Sequence, residues 1–402
     1  MRKKPYHIMR VAMALCLICP SMLFAESAWD LTIPLPSNDP VWEDVKKIWD
    51  DHWDGKNIDQ LIDTLYRIEE THGDAVETHL WLSRACYLKA RYHKKTRADY
   101  LKKSESHAVK ALSIDPHSIA GMKLLITSVS SYADLDYIKK TYGPFFMDKL
   151  PVPIGRALPE MDLPEFGAAL KQWDQRDKIE KGEEAVAHFK KIADENPKNA
   201  LAQTWVARGN YYLGYYYISL GQDKRALPFF IEGDRYGQKA IALAPNEVPA
   251  NYWRQLNLAR SIQNANILVK AGHMKPIMDH LVLTANENMT YFYCGPLIST
   301  ATIIEKGGWV AEKGLGLAGY TMETVKAGLE LAVLAFPTYF YTHFARAEVF
   351  YHLGKKEEAK SILTRMIAMD PYQNQWHAAE NLCAQRLAKT FLEEHFRSSL
   401  KE

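Results

Sequence analysis

The stretch FYTHFARAEVFYHLGKKEEAKSILTRMIAMDP (340–371) is two amphipathic helices folded back on one another. Phe344, Ala347 and Phe350 recur at helical spacing in the first half, and Gly354 then interrupts the pattern. Lys355-Lys356-Glu357-Glu358 restarts it with charge, and Ala359, Ile362, Leu363, Met366 and Ile367 form the apolar face of the second half. Asp370-Pro371 ends it, because proline cannot continue a helix and biases the residue before it away from helical geometry. Ala347 is small where the two helices must cross, and Ala359 is its mate.

Similar punctuation recurs upstream. Asp115-Pro116 follows SESHAVKALSI, Asn196-Pro197 follows EEAVAHFKKIADE, Ala244-Pro245 follows GQKAIAL, and Phe336-Pro337 follows ELAVLA. No run alternates with strand period, so the chain is predicted to be all-α. The tetrapeptide TYFY stands at 290–293 and again at 338–341, an offset of 48 residues, and Pro197 precedes Pro245 by the same 48. The hairpin at 340–371 resembles a tetratricopeptide repeat, whose period is about 34 residues. Inner units of the longer period predict helices about seven residues longer, or roughly 10 Å. The expected fold is therefore an α-solenoid, or superhelix, of elongated tetratricopeptide-like hairpins, each burying its faces on its neighbours.

Residues 1–25 are expected to be a signal peptide. Arg2, Lys3, Lys4 and Arg10 precede the apolar run VAMALCLICPSMLF, and Ala25 offers a small residue for cleavage. The run is short for a membrane span, so an exported, periplasmic protein is expected; a retained N-terminal anchor is the alternative. Residues 26–40 read as an extended leader, and 41–402 as a single solenoid. Within it, 141–166 carries five prolines among aromatic and aliphatic residues, which suits a packed irregular insert. A second irregular stretch is expected at 306–320 (KGGWVAEKGLGLAGY). The formal charge of +2 becomes about −2 once the four leader cations are removed, and no basic stripe marks a nucleic-acid surface. Cys86, Cys294 and Cys383 are widely spaced and odd in number, the pattern of buried thiols, with one disulfide pair as the alternative.

Little in the chain points to catalysis. GLGLAG (314–319) matches the dinucleotide-binding glycine pattern, but that pattern works between a strand and a helix N-terminus, and no strand precedes it here. It reads as a helix–helix loop. HExxH, Walker A and GxSxG are absent, and the CxxC at Cys16–Cys19 falls within the expected signal peptide, so no enzyme activity, cofactor or metal is expected. The pairs His72/His79 and His273/His280 find no acidic or cysteine partner at ligand spacing and are expected to be isolated surface histidines. His72-Gly73-Asp74 reads as the end of one helix and the cap of the next.

The candidate binding residues lie on two helices. In TWVARGNYYLGYYYISLG (204–221), Tyr211 and Tyr215 share one face and Tyr212 and Tyr216 the next; Gly209 and Gly214 would admit close neighbours. Such a helix is either an internal wall of the solenoid or the lining of a ligand cavity. In the second helix Trp253, Asn257, Arg260 and Asn264 form one stripe, with Arg254 beside it. An arginine fork there suits a polar or anionic ligand; a solvated face is the alternative. Tyr211, Tyr215, Trp253, Arg254, Asn257 and Arg260 are thus the candidate ligand or partner groove. His343 and Arg346 share the same two readings.

Four stretches, LWLSRACYLKA (80–90), NEVPANYWRQLNLAR (246–260), YFYCGPLISTATI (291–303) and ETVKAGLELAVLAFPTYFYTHFARAEVFYHLGKKEEAKSIL (323–363), resemble the T-component family associated with TRAP transporters. That resemblance implies a periplasmic, non-enzymatic, tetratricopeptide-like accessory that partners a solute-binding protein. It also implies delivery of hydrophobic or organic-acid ligands and assembly as a trimer. A general tetratricopeptide scaffold for envelope protein–protein contacts is the rival function.

Overall fold

The Xaa-Pro stops mark helix ends. Asp115, Asn196, Ala244 and Phe336 each precede a proline, and each takes an extended φ between −120° and −141° immediately after a helix. Proline Cδ crowds the preceding residue out of the α region, so these breaks are local in origin. The computed structural model describes residues 40–50, 57–116, 118–129, 137, 140–141, 166–245, 247–288, 290–317 and 321–396. The expected signal peptide, the leader up to residue 39 and nearly all of the proline-rich insert lie outside the described residues.

Among the described residues there are sixteen α-helices and no strand. They are α1 (Val41–Asp50), α2 (Ile58–His72), α3 (Val76–Tyr92), α4 (Arg97–Ile114), α5 (Ile119–Val129), α6 (Gly167–Trp173), α7 (Ile179–Glu195) and α8 (Ala200–Ser219). After them come α9 (Asp223–Leu243), α10 (Val248–Ser261), α11 (Ile267–Asn288), α12 (Tyr291–Leu317), α13 (Met322–Ala335), α14 (Phe340–His352), α15 (Lys356–Ala368) and α16 (Ala378–Phe396). Apart from α5 and α6, each packs on its sequence neighbour, and α8 on α10, α12 on α14 and α14 on α16 also meet, which is the stacking of an α-solenoid. The inner helices are longer: α8, α9, α11 and α12 have 20, 21, 22 and 27 residues, against 13 each for α14 and α15. At 1.5 Å per residue the inner walls are about 30 Å deep or more.

Two features depart from the sequence expectation. The stretch 306–317 is not irregular: α12 runs through it to Leu317, so Gly314 and Gly316 of GLGLAG are helical. Each glycine costs a helix only about 1 kcal/mol, which a long helix tolerates; composition overstated the break. The solenoid also turns back on itself, since α16 touches α8 and α13 touches α5. One apolar core accordingly runs from Trp42 to Cys383. A smaller core closes the C-terminal hairpin, where Phe344, Ala347 and Phe350 bury against Ala359, Ile362, Leu363 and Met366.

Candidate functional site

The centre of the molecule is built on α8. Asn199 caps it, its Oδ1 accepting from the Ala202 amide at 3.0 Å. The helix is apolar on most sides, and Trp205, Tyr212, Tyr215 and Tyr217 are all buried. Gly214 is required by packing: a Cβ there would lie 2.7 Å from the Phe230 ring of α9.

Arg208 projects from this helix into an aromatic box. Its guanidinium carbon lies 4.6 Å from the Trp205 ring centroid, 5.1 Å from Phe292, 5.4 Å from Trp173 and 5.5 Å from Trp253. The residue is 5% exposed, and among the described residues its Nε and Nη1 find no hydrogen-bond partner. Burial pushes its pKa down, and Arg176 adds repulsion, while Tyr291 and Glu380 oppose the shift. Ring faces attract a guanidinium but accept no N–H in its plane, so the donors are left over for an acceptor such as a carboxylate.

A second cation frames the box. Arg176 gives Nε to Glu380 Oε1 at 3.1 Å and Nη2 to Glu380 Oε2 at 2.6 Å, with further bonds to the Trp376 and Trp173 carbonyls. Burial opposes both charges, yet the pair wins: the Glu380 carboxyl sits below, and the Arg176 guanidinium above, its ordinary value. The Tyr212 hydroxyl donates to the Arg176 carbonyl at 2.6 Å.

The wall opposite carries a left-handed turn. Phe292, Tyr293 and Cys294 take φ of 46°, 57° and 65° at the start of α12. For residues with a Cβ this costs roughly 1–2 kcal/mol each. The turn seats Phe292 edge-on to Trp253 at 4.9 Å and stacks Tyr293 on Tyr339 at 4.3 Å. Gly295 makes this approach feasible, because a Cβ there would fall 2.2 Å from the Tyr252 hydroxyl.

Four of the six predicted residues come together beside this box. Tyr211 stacks on Tyr215 at 5.9 Å and tilts against Trp253 at 5.7 Å, and the Arg260 guanidinium lies 5.9 Å from the Tyr215 ring. Tyr341 completes the group, edge-on to Tyr215 at 5.1 Å. Burial works against the Arg260 charge, but Tyr211, Tyr341 and Tyr215 outweigh it and hold the guanidinium above its usual range. Arg260 also gives Nη1 to Gln263 Oε1 at 3.0 Å.

The other two are turned elsewhere. Asn257 is fully buried and donates Nδ2 to the Ala207 and Trp253 carbonyls, at 2.9 and 2.8 Å. It ties α10 to α8. Arg254 lies 3.5 Å from Asp234 Oδ1 and 2.8 Å from His280 Nε2, on the side of α10 that faces α9 and α11. His343 Nε2 donates to the Pro337 carbonyl at 2.9 Å, and Arg346 bonds Glu330.

Arg208, Arg176, Glu380 and Phe292 were not singled out in the sequence. One signal was present: Arg208 is a cation in the middle of a helix apolar nearly all round, where a charge must be matched or be functional. Nothing local announces Glu380.

The histidine expectation is overturned at His79. It is fully buried, 3.2 Å from His107 and 3.2 Å from Asp74, with Glu69 also at hand. Asp74 consequently does not cap α3, whose N-cap is Ala75 without a side-chain bond. The spacing along the chain hid this cluster because His107 arrives from α4, a different helix. Cys86, Cys294 and Cys383 are buried and form no disulfide among the described residues. Among the described residues, no helix is long and apolar enough to cross a membrane.

No protein-family model matches the chain, and no curated protein matches it. The crystal structure of the yeast Tom70 aligns with 90% of this chain and 98% of its own, at 13% identity and a TM-score of 0.19. A score that low does not bear on fold or function.

Proposed function

We propose that this helical-repeat protein is a binding scaffold that engages a partner protein and holds a small organic acid among its central aromatics. The observation that carries the ligand half is Arg208, a buried guanidinium with unpaired donors between four aromatic rings. An aromatic or aliphatic carboxylate supplies both things this site lacks: in-plane acceptors for the guanidinium and an apolar body for the rings. Arg260, ringed by Tyr211, Tyr215 and Tyr341, stands next to it as a second anchor. Exposed apolar side chains support the partner half: Leu227 and Ile231, one turn apart on α9, are 39% and 56% exposed.

The finer reading is an exported accessory of a TRAP transporter, working with a periplasmic solute-binding protein and assembling as a trimer. Its support is the resemblance of residues 80–90, 246–260, 291–303 and 323–363 to the T-component family, together with the basic and apolar N-terminal segment. The rival reading, a general scaffold for envelope proteins, is favoured by the charged cleft on α14 and α15 lined by Arg346, Phe350, Glu357, Glu358, Ser361, Ile362 and Arg365.

One experiment separates these readings. The purified chain is used to capture envelope proteins, and the eluate is weighed intact by native mass spectrometry. A solute-binding protein together with a small acid supports the transport accessory. Capture of unrelated envelope proteins with no small molecule supports the general scaffold and sinks the ligand half.

A further inference from the structure

We propose that Glu69, His79 and His107 form a binding site for a divalent transition-metal ion, zinc foremost, which ties α2, α3 and α4 together. One ligand atom from each residue lies within 4.8 Å of the other two. The two imidazole Nδ1 atoms are 3.2 Å apart, and His79 Nδ1 is 3.6 Å from Glu69 Oε1. Ligands bound tetrahedrally to zinc at 2.0–2.1 Å are separated by about 3.3 Å, so these distances already approximate the edges of a coordination polyhedron.

The surroundings orient the rings for this. Asp74 Oδ1 lies 3.2 Å from His79 Nε2. A carboxylate only accepts, so that nitrogen carries the hydrogen and the Nδ1 lone pair faces His107. A carboxylate behind a ligand imidazole is the usual support of a metal-bound histidine. His107 has its own support: the Tyr66 hydroxyl is 3.2 Å from its Nε2. Without metal, a single hydrogen between the two Nδ1 atoms satisfies the pair, with Tyr66 donating to His107. With metal, His107 changes tautomer: its single ring hydrogen passes from Nδ1 to Nε2, which then donates to the Tyr66 hydroxyl, and both Nδ1 lone pairs turn to the ion.

Access and affinity are set by the acidic side. His79 is closed off, whereas the side chains of Glu69 and Asp74 are 18% and 75% exposed, which places the fourth coordination position toward solvent. Lys110 Nζ lies 3.1 Å from the same Glu69 oxygen and competes for it. Two imidazoles and one carboxylate are borderline donors, suited to zinc, cobalt, nickel or copper rather than magnesium or calcium.

The test uses the full-length chain stripped with chelator and titrated with zinc chloride by calorimetry, then with cobalt for its visible spectrum. The expected result is one ion per chain, an upward shift in Tm, and a tetrahedral cobalt spectrum. His107→Gln should abolish all three. Asp74→Asn, which changes an exposed carboxylate that touches no ion, should weaken zinc roughly 10–100-fold while leaving the metal-free Tm in place. Lys110→Met should tighten it. Binding no tighter than millimolar, or one-to-one binding that survives both His107→Gln and Asp74→Asn, overturns the site. Should His107→Gln fail to fold, unchanged affinities in Asp74→Asn and Lys110→Met overturn it equally.

Discussion

Arg176 and Glu380 clasp one another through two parallel bonds, of 3.1 and 2.6 Å, although 204 residues separate them in the chain. The pair joins the segment between α6 and α7 to α16, and it borders the aromatic box of Arg208. Both partners are nearly out of water, Arg176 at 3% and the Glu380 side chain at 12%. Breaking such a pair strands a charge, so Glu380→Gln should cost about 3–5 kcal/mol of unfolding free energy. Arg176→Met combined with Glu380→Leu should recover most of that loss. Urea midpoints of the three variants measure both statements, and a Glu380→Gln loss under about 1 kcal/mol would show that solvent already screens the pair.

Arg208 should behave oppositely. Its unpaired donors cost roughly 1–3 kcal/mol, and its ring contacts return a similar amount. Arg208→Met is therefore expected to leave apo stability within about 1 kcal/mol while removing thermal stabilisation by organic acids. An apo loss of about 3 kcal/mol or more would make the guanidinium a structural group instead.

The close crossing of α9 and α10 predicts a coupled pair. A Cβ on Gly233 would lie 2.2 Å from Asn257 Oδ1, and Asn257 cannot swing away without releasing the two carbonyls it holds. Gly233→Ala should destabilise by about 1–3 kcal/mol through overpacking. In the Asn257→Ala background the same change should cost much less. A double-mutant cycle by chemical denaturation gives the coupling, and simple additivity would contradict the contact.

Acid should unfold the chain from below pH 6.5. Burial holds His107, His280 and His377 down to about 4 each, against 6.5 when unfolded. Between those values the unfolded state binds more protons, so stability falls as pH falls, by about 1.4 kcal/mol per unit for each histidine. Glu380, whose carboxyl is held below its ordinary value, acts in the same direction at lower pH. Chelator-treated protein melted between pH 7 and 4 should show this slope. A Tm flat over that range would mean the rings are hydrated.

How far the chain could be read from its residues follows from the range of the forces involved. Helix ends at Asp115, Asn196, Ala244 and Phe336 are set by sterics between adjacent residues, and so they were legible. The apolar stripes of the closing hairpin were legible for the same reason: period and burial coincide at Phe344, Ala347, Ala359 and Leu363. Tyr211, Tyr215, Trp253 and Arg260 do gather in one place, because spacing gives each of α8 and α10 one such face and the two helices pack on one another. Asn257 sits on that same stripe yet turns into α8, a choice made by Gly233 opposite it rather than by its own helix.

The sequence by itself determined that this chain is helical, where most helices stop, and that its inner hairpins are longer than its last. Those properties depend on neighbours a few residues apart. Only the tertiary structure decided that α16 returns to α8, that Arg208 sits among four rings, and that His107 meets His79. Each of those arrangements depends on contacts between separate helices. Their pairing is decided by how whole helices pack, which no local pattern encodes.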